Sequence, residues 1–195
     1  LFRTSIGFNM LFLEEIWSRN FTNLFIAPLK VGEIITALTA TALIRTLIGI
    51  VPAVLIASPF FGVSLLNLGP ALVLLLFSLY TFGMTLGLLV VSGLLRYGPA
   101  FENVAWSSLF LLAPLGCIYY PLSILPDWLQ ILAKTLPLVY IFEEVRSILL
   151  NNVVNYSNIM SALTLNLFYF LLSVFIFYSA FHKARKKGTL INVGE

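Results

Sequence analysis

The stretch "GCIYYPLSILPDWLQILAKTLPLVYIFEEVR", Gly116 to Arg146, decides how the rest of the chain is read. It carries Pro121, Pro126 and Pro137, an Asp127-Trp128 pair, Lys134, and two adjacent glutamates followed by Arg146. On both sides the chain is far more apolar. Pro121 is expected to break the helix that enters the stretch. "LPDWLQILAK" then restarts one with Asp127 in its first turn, and "LPLVYIFEEVRSILL" restarts another after Pro137. Two short helices of about 10–12 residues each fall below the ~20 needed to cross a bilayer. They read as a half-inserted hairpin or as an amphipathic loop on the membrane surface. Trp128 and Tyr140 have the amphipathic character favoured at headgroup level. Glu143 and Arg146, three apart, share one helical face as a candidate ion pair.

Outward from this stretch the solvent is lipid. Charged residues make up only 10% of the 195 and hydrophobic ones 60%, with a mean hydropathy of +1.01, against roughly 25% charged in a soluble domain. Apolar segments run over 1–13, 34–57, 68–95, about 104–120 and 159–181. They exceed strand length and lack alternation, so helices are expected, each satisfying its own backbone in lipid. The first is too short to span and reads as the end of a helix that begins upstream of Leu1. An all-α polytopic membrane protein follows, with 1–195 as a single membrane domain.

Basic residues set the orientation. With the tail "HKARKKG" in the cytoplasm, the inner loops hold Arg19, Lys30, Arg96, Lys183, Arg185, Lys186 and Lys187, and the outer ones only Lys134 and Arg146. A cytoplasmic C-terminus is expected, with Gly116–Asn158 on the opposite side. Catalytic equipment is sparse. His182 is the single histidine, Cys117 the single cysteine, and no GxxxxGK[ST] loop is present, so ATP hydrolysis by that route is excluded. No metal-ligand spacing appears and no cofactor is expected. Nucleic-acid binding has no support from the few basic residues.

Two further features stand out. In "EEIWSRNFTNLFIAPLKVGE", Glu14 to Glu33, the residues Trp17, Phe21, Leu24 and Phe25 fall on one helical face, Glu15 and Arg19 pair at i,i+4, and Pro28 stops the helix. That face suits either an interfacial helix or docking into a groove of a soluble partner. Arg45 lies at the centre of the second apolar segment, on a face with Thr41 and Gly49 and close to Pro52. A charge there costs about 2.5–3.5 kcal/mol on insertion scales and turns towards the bundle interior. It is read as bonded to backbone carbonyls or a neighbouring helix, as part of a substrate path, or as nearer the surface.

Two stretches together resemble the permease subunit of ATP-binding cassette (ABC) exporters of the type-2 class. One is Glu15 and Arg19 followed by "NLFIAPL" with Pro28 and Leu29. The other joins Pro121, Leu122, Leu125, Pro126, Trp128, Leu129 and Gln130 to Pro137, Leu138, Tyr140, Glu143 and Arg146. Leu136 stands where many members have asparagine, and "NFT" where many have glycine-threonine. The resemblance implies a type-2 ABC exporter transmembrane domain lacking its first span and part of the second. It implies that Trp17–Leu29 is a cytoplasmic coupling helix, with Trp17, Arg19, Phe21, Leu24, Phe25 and Pro28 meeting the ATPase. It further implies that Leu122–Leu150 is an extracytoplasmic re-entrant hairpin marked by Pro126, Trp128, Tyr140, Glu143 and Arg146. The expected partners are two cytoplasmic ABC ATPase subunits, a second permease copy and the lipid bilayer of a bacterial inner membrane. The expected substrate is a glycan, a lipid or a drug-like molecule. Two other readings are a membrane-embedded enzyme acting on lipid-linked substrates, with Glu143, Glu144 or Arg45 as active groups, and a non-transporting assembly subunit.

Overall fold

In a computed structural model, residues 2–17, 30–61, 69–98, 101–151 and 153–187 are described. Their regular structure is helical: α1 (Phe2–Trp17), α2 (Val31–Phe61), α3 (Pro70–Tyr97), α4 (Glu102–Leu115), a 3-10 turn (Leu122–Ile124), α5 (Asp127–Ala133), α6 (Pro137–Asn151) and α7 (Tyr156–Lys187). Candidate membrane spans occur in three of them, Val31–Pro52, Pro70–Tyr97 and Tyr156–Lys186. At 1.5 Å per residue, α3 is about 42 Å long and α7 about 48 Å, ample for a hydrocarbon core of ~30 Å.

The starts and stops of these helices follow local chemistry. Pro70 opens α3 at a position that needs no N–H, and Gly98 closes it with φ +75 while its N–H donates to the Leu94 carbonyl. Glu33 turns back on the entry of α2, where its carboxylate accepts the Lys30 N–H at 2.8 Å and its own N–H reaches the Lys30 carbonyl. That reciprocal arrangement holds the first turn of α2. The helix then runs on through Pro52 to Phe61.

The bundle is organised around α3 and α7, which pack along each other, with α1 against α3 and α2 against α1. Apolar packing divides between its two ends. At one end Leu13 of α1, Val31 and Ile34 of α2, Leu94 of α3, and Phe177 and Phe181 of α7 form one buried cluster. At the other, Ala71 and Leu75 of α3 meet Ile141 and Ile148 of α6 and Ile159 and Ala162 of α7. The basic end of α7, the end of α1 and the start of α2 therefore share one end of the bundle, and α6 occupies the opposite one. Between the clusters, the buried Asn166 amide donates to the Ser78 carbonyl at 3.0 Å and joins α7 to α3. Tyr80 donates to the Thr39 carbonyl at 2.6 Å and joins α3 to α2.

The fourth apolar segment corrects the sequence reading. A helix through 104–120 broken at Pro121 was expected, but α4 ends at Leu115 and measures about 21 Å, too short to cross. Its end is a Schellman motif. Cys117 sits in the left-handed region at φ +53, its N–H reaches the Pro114 carbonyl, and the Ile118 N–H reaches the Ala113 carbonyl. Gly116 leaves little room beside it, because a Cβ there would lie 2.8 Å from Leu138 Cδ1 and 3.0 Å from the Leu112 carbonyl oxygen. The N-terminus of α6 thus packs directly onto the end of α4.

Candidate functional site

The Gly116–Arg146 stretch folds into two short helices, as the prolines require, of 7 and 15 residues rather than about 10–12 each. Pro126 caps α5, Asp127 lies in its first turn, and Pro137 is the first residue of α6. Gln130 donates back to the Leu125 carbonyl at 2.8 Å, and Tyr169 of α7 donates to the Thr135 carbonyl at 3.1 Å. The second bond fixes the α5–α6 corner to the bundle. Behind the hairpin lies a small buried cluster of Cys117, Ala133 and Val139. Trp128 points outward and is 70% exposed. Tyr140 is half-buried and packs with the α3–α6–α7 cluster, so it serves the interior rather than the surface.

The Glu143–Arg146 pair is present, with Arg146 Nη1 2.8 Å from Glu143 Oε1. It does more than bridge one helical turn. Arg146 Nη2 also donates to the carbonyls of Cys117 and Ile118, the latter at 3.3 Å, while the same Glu143 oxygen accepts the Leu122 N–H at 2.8 Å. The two side chains therefore bind the chain between α4 and the 3-10 turn to α6. They satisfy backbone groups that no helix or strand covers there. Cys117, outside the three candidate spans, is fully buried. Burial pushes its thiol pKa up, the Glu143 charge adds to the rise, and Arg146 opposes it.

Glu144, the neighbour the sequence did not single out for structure, is fully buried. Its carboxylate accepts the Asn155 N–H at 2.6 Å and the Asn158 amide at 3.1 Å. Asn155 in turn accepts the Ser157 N–H at 3.1 Å and so caps α7. A buried carboxylate at a helix N-terminus is matched to the helix dipole and to orphan N–H groups. The signal available beforehand was the "VNYSN" cap sequence, but its partner eleven residues upstream has no local signature.

Arg45 reaches across to α1, where its guanidinium lies 3.5 Å from Glu14 Oε2. This is the neighbouring-helix partner anticipated as one option, and both side chains remain about half exposed. Glu14 itself was assigned to the segment after the first helix, whereas α1 continues to Trp17 and carries it. Of the docking face, only the backbone of Trp17 is described, as the last residue of α1. Arg19, Phe21, Leu24, Phe25 and Pro28 lie outside the described residues.

The arrangement offers little to a catalyst. Glu143 is engaged by Arg146 and a backbone N–H, Glu144 by a helix cap, and Arg45 by Glu14. Among the described residues no group of His, Cys, Asp and Glu could hold a metal ion. Its design is that of a helical bundle built to span a bilayer with a pinned hairpin at one end. In comparison with known proteins, residues 1–150 match the family described as ABC-2 type transporter. No curated protein and no solved structure matches the chain. The family match spans most of the 195 residues and agrees with the apolar helices and the hairpin motif, so the chain belongs to the ABC-2 type transporter family as a membrane-spanning permease.

Proposed function

We propose that this permease is the transmembrane subunit of an ATP-driven exporter that moves a glycan, lipid or drug-like substrate out of the cytoplasm. Two copies of it work with two copies of a separate ABC ATPase in a bacterial inner membrane. The C-terminus and the α1–α2 junction face the cytoplasm, and the Leu122–Leu150 hairpin faces outward. The observation that carries this reading is the division between the two ends of the bundle. The basic end of α7, the end of α1 and the start of α2 lie together, opposite the Glu143–Arg146 pair. A motor at one end can then be coupled through α1 and α2 to the other.

In this reading Trp17, Phe21, Leu24 and Phe25 form the face of a coupling helix seated in the ATPase, Arg19 orients it, and Pro28 ends it. ATP binding closes the ATPase pair, and the coupling helices pass that movement to the spans. Arg45, paired with Glu14 across α1 and α2, lies on the route between coupling helix and bundle, where it can contact a passing substrate. Pro126, Trp128, Tyr140, Glu143 and Arg146 shape the exit side.

Burying a Phe and a Leu contributes about 1.5–3 kcal/mol each, and placing aspartate in their pockets adds a desolvation cost. The double substitution Phe21→Asp with Leu24→Asp is therefore expected to weaken ATPase association by at least 100-fold while membrane insertion stays intact. Co-purification of the ATPase with the variant, at the level of the unaltered chain, would refute the coupling assignment.

A further inference from the structure

A second feature sits at the basic end of the bundle, away from the hairpin. Between the last turns of α3 and α7 lies a cleft of about 640 Å³. Its walls are mostly apolar, with Leu89 of α3 facing Phe175, Ile176 and Ala180 of α7; Ser92 and Ser179 also line it, and Arg96 and Lys183 stand among its lining residues. Both cations are exposed. Neither has a carboxylate partner among the described residues, and neither α3 nor α7 contains a single acidic residue. The Arg96 guanidinium lies over the Tyr97 ring, 5.3 Å from its centroid, an arrangement that places it at the polar edge of an aromatic surface.

We propose that this cleft binds an anionic phospholipid of the leaflet at that end of the bundle. The phosphate lies between Arg96 and Lys183, and the upper acyl chain lies along Leu89, Phe175 and Ile176. Three properties favour a lipid over other occupants. The two cations end apolar helices long enough to span, so they stand at headgroup depth. The walls continue directly into the lipid-facing surface of α7, where Leu171, Leu172 and Phe175 are exposed. The volume falls within the range of sites that hold a small ligand and suits a headgroup with the first part of its chains. Basic clefts between spans at the leaflet surface recognise anionic headgroups by the same charge logic, at about 1 kcal/mol per basic residue. It needs only that α3 and α7 cross a bilayer, so its failure leaves the exporter reading untouched.

The test uses the whole membrane complex in detergent micelles containing phosphatidylglycerol or phosphatidylcholine, with retained lipid measured by native mass spectrometry. The unaltered complex is expected to hold phosphatidylglycerol and not phosphatidylcholine. The pair Arg96→Gln and Lys183→Gln is expected to weaken retention about 30-fold. The pair Arg185→Gln and Lys186→Gln, which removes equal charge from the same helix end outside the cleft, changes it less than 3-fold. Ala180→Trp, which fills the cleft without touching its charge, also abolishes retention. Equal losses from the two glutamine pairs would reduce the effect to general surface charge and overturn the proposal. Release of the lipid by millimolar inorganic phosphate would overturn it too, by showing a site for the anion alone. A disulfide between two copies carrying Ser179→Cys would assign the cleft to a subunit interface instead.

Discussion

Replacing Arg146 with alanine should unlatch the hairpin. The guanidinium makes one charge-assisted bond to Glu143 and donates to two backbone carbonyls, those of Cys117 and Ile118. Bonds to charged groups contribute about 1.5–3 kcal/mol each, and breaking a fully buried ion pair costs about 3–5 kcal/mol. Here the two side chains are 23% and 33% exposed, so water recovers part of the loss and the cost is about 2–4 kcal/mol. Glu143 keeps the Leu122 N–H, but the carbonyl of the fully buried Cys117 loses its guanidinium donor.

The natural reporter is Cys117, the single cysteine. In native membranes its modification by a maleimide should be slow, because the thiol is buried and its pKa is raised. Removing Arg146 raises that pKa further, since Arg146 opposes the shift, so ionisation alone predicts slower labelling. Local opening acts the other way. At about 1.4 kcal/mol per tenfold, a loss of 2–4 kcal/mol in the closed state predicts labelling at least 30-fold faster. Arg146→Lys should fall between, because one ammonium cannot serve the carboxylate and both carbonyls together. A labelling rate unchanged or slower in Arg146→Ala would refute the latch.

Three other substitutions probe the joints of the fold. Gly116→Ala forces a methyl against Leu138 and the Leu112 carbonyl and should cost about 1–3 kcal/mol in denaturant titration of the purified protein. Full stability would mean that α4 and α6 do not meet there. Glu144→Gln faces an amide N–H₂ towards one of the two donors it now receives; it should cost about 1–3 kcal/mol and speed hydrogen exchange in the first turn of α7. Unchanged exchange there would dissociate Glu144 from the cap. Asn166→Leu loses the bond to Ser78 but also removes an unpaired buried oxygen. Its cost should stay below about 1 kcal/mol, in line with interhelical polar bonds in lipid, and a loss above 2 kcal/mol would show that Asn166 matters more than its contacts allow.

What could be read from the sequence was whatever is decided locally. Prolines 126 and 137 mark helix starts because a missing N–H costs nothing at that position, and both helices begin where the residues said. Glu143 and Arg146 meet because residues three apart share a helical face. Long-range partners left no comparable mark. The end of α4 was misplaced because the helix stops at a left-handed Cys117, held by Arg146 twenty-nine residues on, rather than at Pro121. Glu144 was read only as a possible active group because its donors, Asn155 and Asn158, lie at the start of the next helix, and Glu14 was not paired because its partner Arg45 is on α2. Charge partners on different helices are chosen by tertiary geometry, which a periodic pattern does not encode.

The central claim is that this permease works as half of a membrane unit driven by a separate ATPase. Its most direct measurement is the native mass and composition of the complex isolated from its own membranes through a tag on the permease. Two permeases with two copies of a Walker-motif ATPase are expected, with loss of the ATPase from the Phe21→Asp, Leu24→Asp variant. A permease complex isolated with no such ATPase would contradict it.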